Sequence, residues 1–274
     1  MGRVETPSRP GVAQRLLALL AAFDAEHREL TLTALARRAG LPAATAHRLV
    51  GQLTAWGALE QSESGGYRVG LRLWEVAMLA PRSSGLRRAA LPFMEDLYET
   101  THENVQLAVR EGDDTLYIEL ISGRSAVIVR TTVGSRWPLH ATGVGLVLLA
   151  HAEPDVQDRI CGAPLARFTR HTITDPARLR AALADVRHAD VAVSDRQITD
   201  DAVSVASPIR DASGSVVAAL SLVVPAATTH PATLVPAVRM AALGASRALG
   251  YPGGRPQSAR ESFHPVEGPL ASGA

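Results

Sequence analysis

The sequence predicts an α+β protein: an N-terminal winged helix-turn-helix joined by a linker helix to a larger domain with an antiparallel sheet. Three observations carry this. Thr33 to Leu53 reads as two short helices broken once, at Gly40-Leu41-Pro42. A Gly-Gly turn between two short extended segments follows within a few residues, at Ser62 to Gly66. From Val105 onward the apolar residues alternate with period two, and hairpin turns separate the runs.

Composition sets the bounds. The chain has 274 residues, 46% of them hydrophobic and 20% charged, which is a globular balance. The net charge is +1, so any surface that attracts DNA must be local. Every one of the 28 Lys-or-Arg residues is arginine, which points to genome composition rather than to chemistry. Cys161 is the only cysteine, so no intrachain disulfide and no cysteine metal cluster can form. No charged-then-apolar leader opens the chain and no run of 18 apolar residues occurs. A cytoplasmic protein without a membrane partner is expected.

The elements follow in order. Residues 1–11 are polar with two prolines and are read as a disordered N-terminus. Val12, Leu16, Leu19, Leu20 and Phe23 share one face of a first helix. Thr33 is placed as the N-cap of a short second helix, whose face is Leu35, Ala36 and Ala39. Gly40 suits the left-handed C-cap, and Pro42 the first turn of a third helix. That helix turns Ala46, Leu49, Val50, Leu53 and Trp56 to the core. Tyr67-Arg68-Val69 returns from the Gly-Gly turn as the second strand of a small hairpin. Residues 12–70 are therefore a winged helix-turn-helix domain that binds a double-stranded DNA operator. Thr45, His47, Arg48 and Gln52 lie off the apolar face of the third helix, and its N-terminal half meets the major groove. Arginine forks onto guanine and glutamine onto adenine, whereas Arg68 on the wing can meet phosphate.

Residues 71–85 are read as a linker, helical from Leu71 to Ala80 and broken by Pro81 to Gly85. Residues 86–250 form the second domain. A helix over Leu91 to Thr101 precedes a three-strand meander at 105–109, 116–120 and 126–132. A small-residue helix covers His140 to His151, and Asp175-Pro176 opens another that ends near His188. Strands at 191–193, 203–209 and 216–224 precede a last helix over Pro236 to Leu249. Residues 251–274 are Gly-, Pro- and Ser-rich and are read as a disordered tail.

The stretches LTALARRAGLPAATAHRLVGQLTAWGALE and GGYRVGLRLWEVA resemble the IclR family of bacterial transcription regulators. The likeness continues through VGSRWPLHATGVGLVLLA, TITDPARLRAALADVR and VASPIRDASGSVVAALSLVVP, and so covers Val12 to Gly250. It implies a GAF-like effector-binding domain after the winged helix-turn-helix, and a homodimer or a dimer of dimers. With the layout above it assigns DNA contact to Thr33, Pro42, Ala43, Ala44, Thr45, His47, Arg48, Gln52 and Arg68. It also implies a pocket for a small-molecule effector, lined by Ala126, Val129, Gly143, Val144, Ser194, Ala202, Ser204 and Ser221. The chain departs from the pattern in places. Ala43 and Ala44 stand where polar or basic residues are frequent. Ser194, Ser204 and Val223 stand where carboxylate-binding members can have Asp, Cys and Ser, and Leu146 replaces a common Lys. The expected pocket is hydroxyl-lined and otherwise apolar.

Enzymatic signals are weak. Histidines 102, 140, 151, 171, 188 and 230 are scattered, with no close ligand spacing, and no G-x-S-x-G elbow or Walker loop occurs. Asp195, Asp200 and Asp201 read as a solvated loop. No catalytic residue, metal or cofactor is assigned. A ligand-responsive regulator that acts as a repressor is the expectation; an enzyme with an appended DNA-binding domain and a DNA-binding scaffold whose second domain only oligomerises are the alternatives.

Overall fold

The computed structural model describes residues 10–24, 26–123, 127, 129 and 131–253, with the side chains of 81–84 excepted. Most of the expected disordered ends, and Ala126, lie outside the described residues. The chain divides into two compact units between Gly85 and Leu86. No helix among the described residues is long and apolar enough to cross a membrane.

The first unit comprises α1 (Val12–Leu20), β1 (Glu29–Leu30), α2 (Leu32–Arg38), α3 (Ala43–Trp56), β2 (Leu59–Gln61), β3 (Tyr67–Val69) and α4 (Leu71–Ala77). Its core is built from Leu19, Leu35, Leu49 and Leu59, each at most 1% exposed. Burying each such side chain contributes about 2 kcal/mol. The corner is a Schellman turn. Leu41 N–H donates to Ala36 O at 2.9 Å and Gly40 N–H to Arg37 O at 3.2 Å. Gly40 has φ +64, which only glycine adopts without strain.

Local details correct the sequence reading. The N-cap of α2 is Thr31, whose Oγ1 accepts from Ala34 N–H at 3.2 Å; Thr33 lies inside the helix and is exposed. Pro42 is the N-cap of α3 rather than its first residue. Val12 is 47% and Trp56 51% exposed, because each sits at the frayed edge of its apolar stripe. The wing gains a strand the sequence did not suggest: β1 pairs with β3, so the small sheet runs β1-β3-β2.

Helix α5 (Pro81–Thr101), which belongs to the second unit from Leu86 onward, runs through the expected break and through Pro92. Pro81 opens that helix, where a missing N–H costs nothing, so it does not end one. The remaining elements are β4 (Asn104–Glu111), β5 (Asp114–Ile121), β6 (Arg136–Pro138), α6 (Gly143–Ala150), α7 (Pro154–Gly162), α8 (Pro176–Ala189), β7 (Ala192–Asp195), β8 (Ala202–Arg210), β9 (Val216–Pro225) and α9 (Val235–Ala248). The strand beside β5 is β6, whereas the expected third strand at 126–132 falls partly outside the described residues. Helix α7 was not anticipated. The six strands form one antiparallel sheet in the order β6-β5-β4-β9-β8-β7.

Strand alternation splits the domain into two cores. Val105, Leu107, Val203, Val205, Leu220 and Leu222 face α5 and α9. Ala108, Tyr117, Ala192, Ala206 and Ala219 face α6, α7 and α8. Helices therefore cover both faces.

Candidate functional site

Helix α3 buries Ala46, Leu49, Val50 and Leu53 against the first unit's core. The opposite stripe is Ala44, His47, Arg48, Gly51, Gln52 and Ala55, all exposed. Pro42 and Ala43 are exposed at the helix start, whereas Thr45 is half-buried at the edge of the stripe. Among the described residues Arg48 makes no ion pair, so its five donors face solvent. A bare stripe with Arg48 and Gln52 one turn apart is suited to base edges in a major groove.

The wing is held by carboxylates. Glu29 Oε1 accepts from Ser62 Oγ at 2.6 Å and from Ser64 Oγ at 2.5 Å. The Ser62 hydroxyl, then Ser64, holds the Glu29 carboxyl below the usual range. Glu60 accepts from Leu71 N–H at 3.0 Å and so ties the wing to the start of α4. That bond is the main reason the Glu60 carboxyl is also lowered. Arg68 lies 3.3 Å from the Glu60 carboxylate, with its side chain 57% exposed. An exposed pair at that distance is weak enough for a phosphate to compete.

The second unit encloses a cavity between α6 and the sheet. Its volume is about 540 Å³, part of it open to solvent. It is a narrow slot, of a size for one small molecule. Two rows of opposed residues cross its floor. One runs Ser194, Ser204, Val223, Asn104 over β7, β8, β9 and β4. The next runs Ala192, Ala206, Ser221, Gln106. Of the residues that the family resemblance implied, Val129, Gly143, Val144, Ser194, Ala202, Ser204 and Ser221 all line this slot. Ala126 lies outside the described residues.

Several lining residues were missed: Gln106, Tyr117, Thr131, Trp137, Thr142, Gln197, Ile198 and Thr199. Gln106 carried a signal, since it stands between buried Val105 and Leu107 as Ser204 stands between Val203 and Val205. Trp137 reaches the slot from the three-residue strand β6, too short to show a period, and Gln197 from the loop after β7.

Helix α6 meets the slot end-on. Thr142 caps it, its Oγ1 accepting from Gly145 N–H at 3.0 Å, and Leu146 N–H takes Thr142 O at 2.9 Å. The N–H groups of Gly143 and Val144 are left without an intrahelical acceptor. A Cβ on Gly143 would stand 2.5 Å from Ser204 Oγ, so glycine is what lets the helix end approach the serine. None of the described lining residues is charged. Burial pushes the Tyr117 phenol up to about 12, against hydrogen bonds to Thr142 and Thr115, so it stays protonated. Ser194 Oγ donates to Ala141 O at 3.2 Å. Gln197 closes one wall: its Oε1 accepts from Ile173 N–H at 3.1 Å, and its carbonyl from Thr172 Oγ1 at 2.7 Å. Trp137 is braced by Phe168, edge to face at 5.5 Å. The acidic loop holds itself: Arg196 binds Asp195 through Nε and Nη2, at 2.8 and 2.9 Å. No group of three His, Cys, Asp or Glu side chains suited to a metal occurs among the described residues.

A helix-turn-helix with a bare reading stripe and a wing, followed by a unit with a slot whose described lining is uncharged, defines a DNA-binding transcription regulator with a separate effector-binding domain. Comparison gives the family. The IclR helix-turn-helix domain matches residues 12–63, and the bacterial transcriptional regulator IclR C-terminal domain matches residues 79–247. The chain belongs to the IclR family of bacterial transcription regulators. It is 32% identical to the HTH-type transcriptional regulator XynR of Escherichia coli, over 87% of this chain and 97% of that protein. It is 31% identical to the Pca regulon regulatory protein of Pseudomonas putida, over 76% and 72%. Among solved structures, an IclR homolog from Microbacterium hydrocarbonoxydans complexed with 4-hydroxybenzoate superimposes with a TM-score of 0.84. It shares 37% identity, over 87% of this chain and 99% of that one.

Proposed function

We propose that the chain is a dimeric regulator whose grip on its operator is set by a small aromatic acid in the slot of the second unit. One observation carries the ligand class: the slot is narrow, without a charged side chain among its described lining residues, and flanked by Trp137, with the free N–H groups of α6 at one side. A flat ring fits such a shape, and a carboxylate suits a helix N-terminus. The relative that holds 4-hydroxybenzoate supports the same class. Gly143 and Val144 face the carboxylate, while Ser194, Ala202, Ser204, Ser221 and Val129 surround the ring. His47, Arg48, Gln52 and Thr45 read bases. Thr33, Pro42, Ala43, Ala44 and Arg68 approach the backbone. The protein acts in the cytoplasm, as a repressor.

Exposed apolar residues on α4 and just after it support the dimer. Leu71 is 70%, Trp74 57% and Leu79 78% exposed, which is unusual apolar exposure for so short a stretch. Pairing two copies there covers it and sets a palindromic operator. Sedimentation of Trp74→Glu is expected to show a shift toward monomer at micromolar concentration, with weaker operator binding; an unchanged dimer moves the interface elsewhere.

The effector reading is tested by operator release against 4-hydroxybenzoate, in the wild type and in the Ser204→Val, Ser221→Val double variant. Coupling is reciprocal, so a ligand that releases the operator binds the free protein better. The wild type is expected to release DNA with rising ligand. The double variant is expected to hold it, with ligand-free affinity unchanged. Absence of binding to any aromatic acid sinks the ligand class; an unshifted release curve in the variant removes the two serines.

A further inference from the structure

Two amide side chains stand two residues apart on β4, on the same face of the sheet. Asn104 is committed: its Nδ2 donates to Val127 O at 2.8 Å. Gln106 is not. It is 4% exposed, yet its one contact is a long one, from Ser221 Oγ to Oε1 at 3.4 Å. Among the described residues its amide nitrogen has no partner. That NH₂ group is therefore free to donate to a guest in the slot. The neighbouring polar group is already engaged, since Tyr117 hydrogen-bonds with Thr142 and Thr115. Gln106 borders the slot, so its free valence faces the ligand space.

The row geometry says which part of a ligand it meets. Gly143 sits over Ala206, where a Cβ would be 3.4 Å from the Ala206 Cβ. Ala206, Ser221 and Gln106 are successive members of one row. Gln106 is therefore two strand spacings from the helix end, about 10 Å between backbones. A ring whose carboxylate lies at Gly143 and Val144 directs its opposite substituent toward Gln106 and Ser221.

We propose that the Gln106–Ser221 pair reads the substituent opposite the carboxylate, and that Gln106 selects para-hydroxylated aromatic acids over unsubstituted ones. This rests on the aromatic-acid reading above. A phenol hydroxyl can donate to the Gln106 carbonyl oxygen or accept from its NH₂. The Ser221 hydroxyl rotates to complete the set. An unsubstituted ring offers nothing to the Gln106 NH₂, and that is where the discrimination arises.

The test is calorimetric titration of the full-length protein with benzoate and with 4-hydroxybenzoate. Wild type is expected to favour 4-hydroxybenzoate by about tenfold, the worth of one added hydrogen bond. Gln106→Met keeps the length and removes the amide. It is expected to bind both acids alike, with benzoate within about twofold of wild type. Ser221→Ala, a smaller change, is expected to reduce the preference about threefold and decides the matter if Gln106→Met does not fold. A preference retained in Gln106→Met, or in Ser221→Ala when that variant stands alone, overturns the role of the pair and leaves the aromatic-acid reading in place. Equal binding of both acids by the wild type does the same. Binding of neither acid by the wild type removes both readings together.

Discussion

Helices α3 and α6 are both short and rich in small and aliphatic residues, but they are used in opposite ways. α3 has a buried stripe and an exposed one, and the exposed one carries Arg48 and Gln52. α6 has no exposed residue at all: every position from Gly143 to Ala150 is buried. A helix with a free face can act through side chains. A helix enclosed all round has only its end to offer, and α6 presents that end to the slot. The difference lies in what packs against each helix, not in intrinsic helix preference.

Glycine exchange tests this contrast most severely. Gly145 in α6 has no room: a Cβ there meets the Leu139 carbonyl and stands 2.6 Å from Thr142 Oγ1. Gly145→Val is expected to cost about 3 kcal/mol in urea unfolding of the second unit. Gly51 in α3 faces open space. Gly51→Ala is expected to stabilise the first unit by up to about 1 kcal/mol. If both variants moved stability the same way, the contrast between the helices would fail.

Function should divide the same way. Arg48→Ala is expected to weaken operator binding by about 1–3 kcal/mol, more on operator than on scrambled DNA at fixed salt. Its unfolding midpoint should stay put, because the side chain packs on nothing. Equal losses on both DNAs would mark a phosphate contact instead. Thr142→Val removes the cap of α6 and is expected to cost about 1 kcal/mol of stability while leaving ligand-free DNA binding intact.

Acid should separate the two units more gently. Glu29 and Glu60 have lowered carboxyls, so whatever stability they contribute is present above the unfolded value and lost as pH falls through the folded one. Glu103, ahead of β4, is raised by burial, and its Oε2 has no partner among the described residues. Its sign is opposite: the strain is absent below the unfolded value, near pH 4, and sets in as pH rises through the folded one. Glu103→Gln is therefore expected to raise the unfolding midpoint of the second unit at pH 7 and to have no effect near pH 4. A gain that persists at pH 4 would mean packing, not charge.

What was legible in the sequence follows from how each signal arises. The corner at Gly40, the wing hairpin and strands β8 and β9 were written in local punctuation and period. Ser204 and Ser221 showed their facing because buried aliphatics flank both. Gln106 has the same pattern, but a lone polar residue in an apolar strand reads equally well as an edge. Helix α7 has only Val156, Ile160 and Cys161 buried, and its N-cap residue Glu153 makes no side-chain capping bond, so little marked it. Pro81 was misread because proline starts helices as readily as it ends them. Trp137 and Gln197 enter the slot through packing between distant segments, which leaves no local trace.

The alternation along β8 and β9 has a historical consequence. Alternate positions of these strands serve different masters: Val205, Leu220 and Leu222 hold the scaffold, Val203 packs with them and also borders the slot, and Ser204, Ser221 and Val223 line the slot beside Ala206. Point changes in the second set can alter taste for ligand while the scaffold is inherited intact. Length cannot drift so freely. Losing one residue from the Asp211–Ser215 turn region without a compensating bulge would exchange the parity of one strand and turn its aliphatic set into the slot. Descendants of this gene should therefore vary in letters along the hairpin and agree in its count.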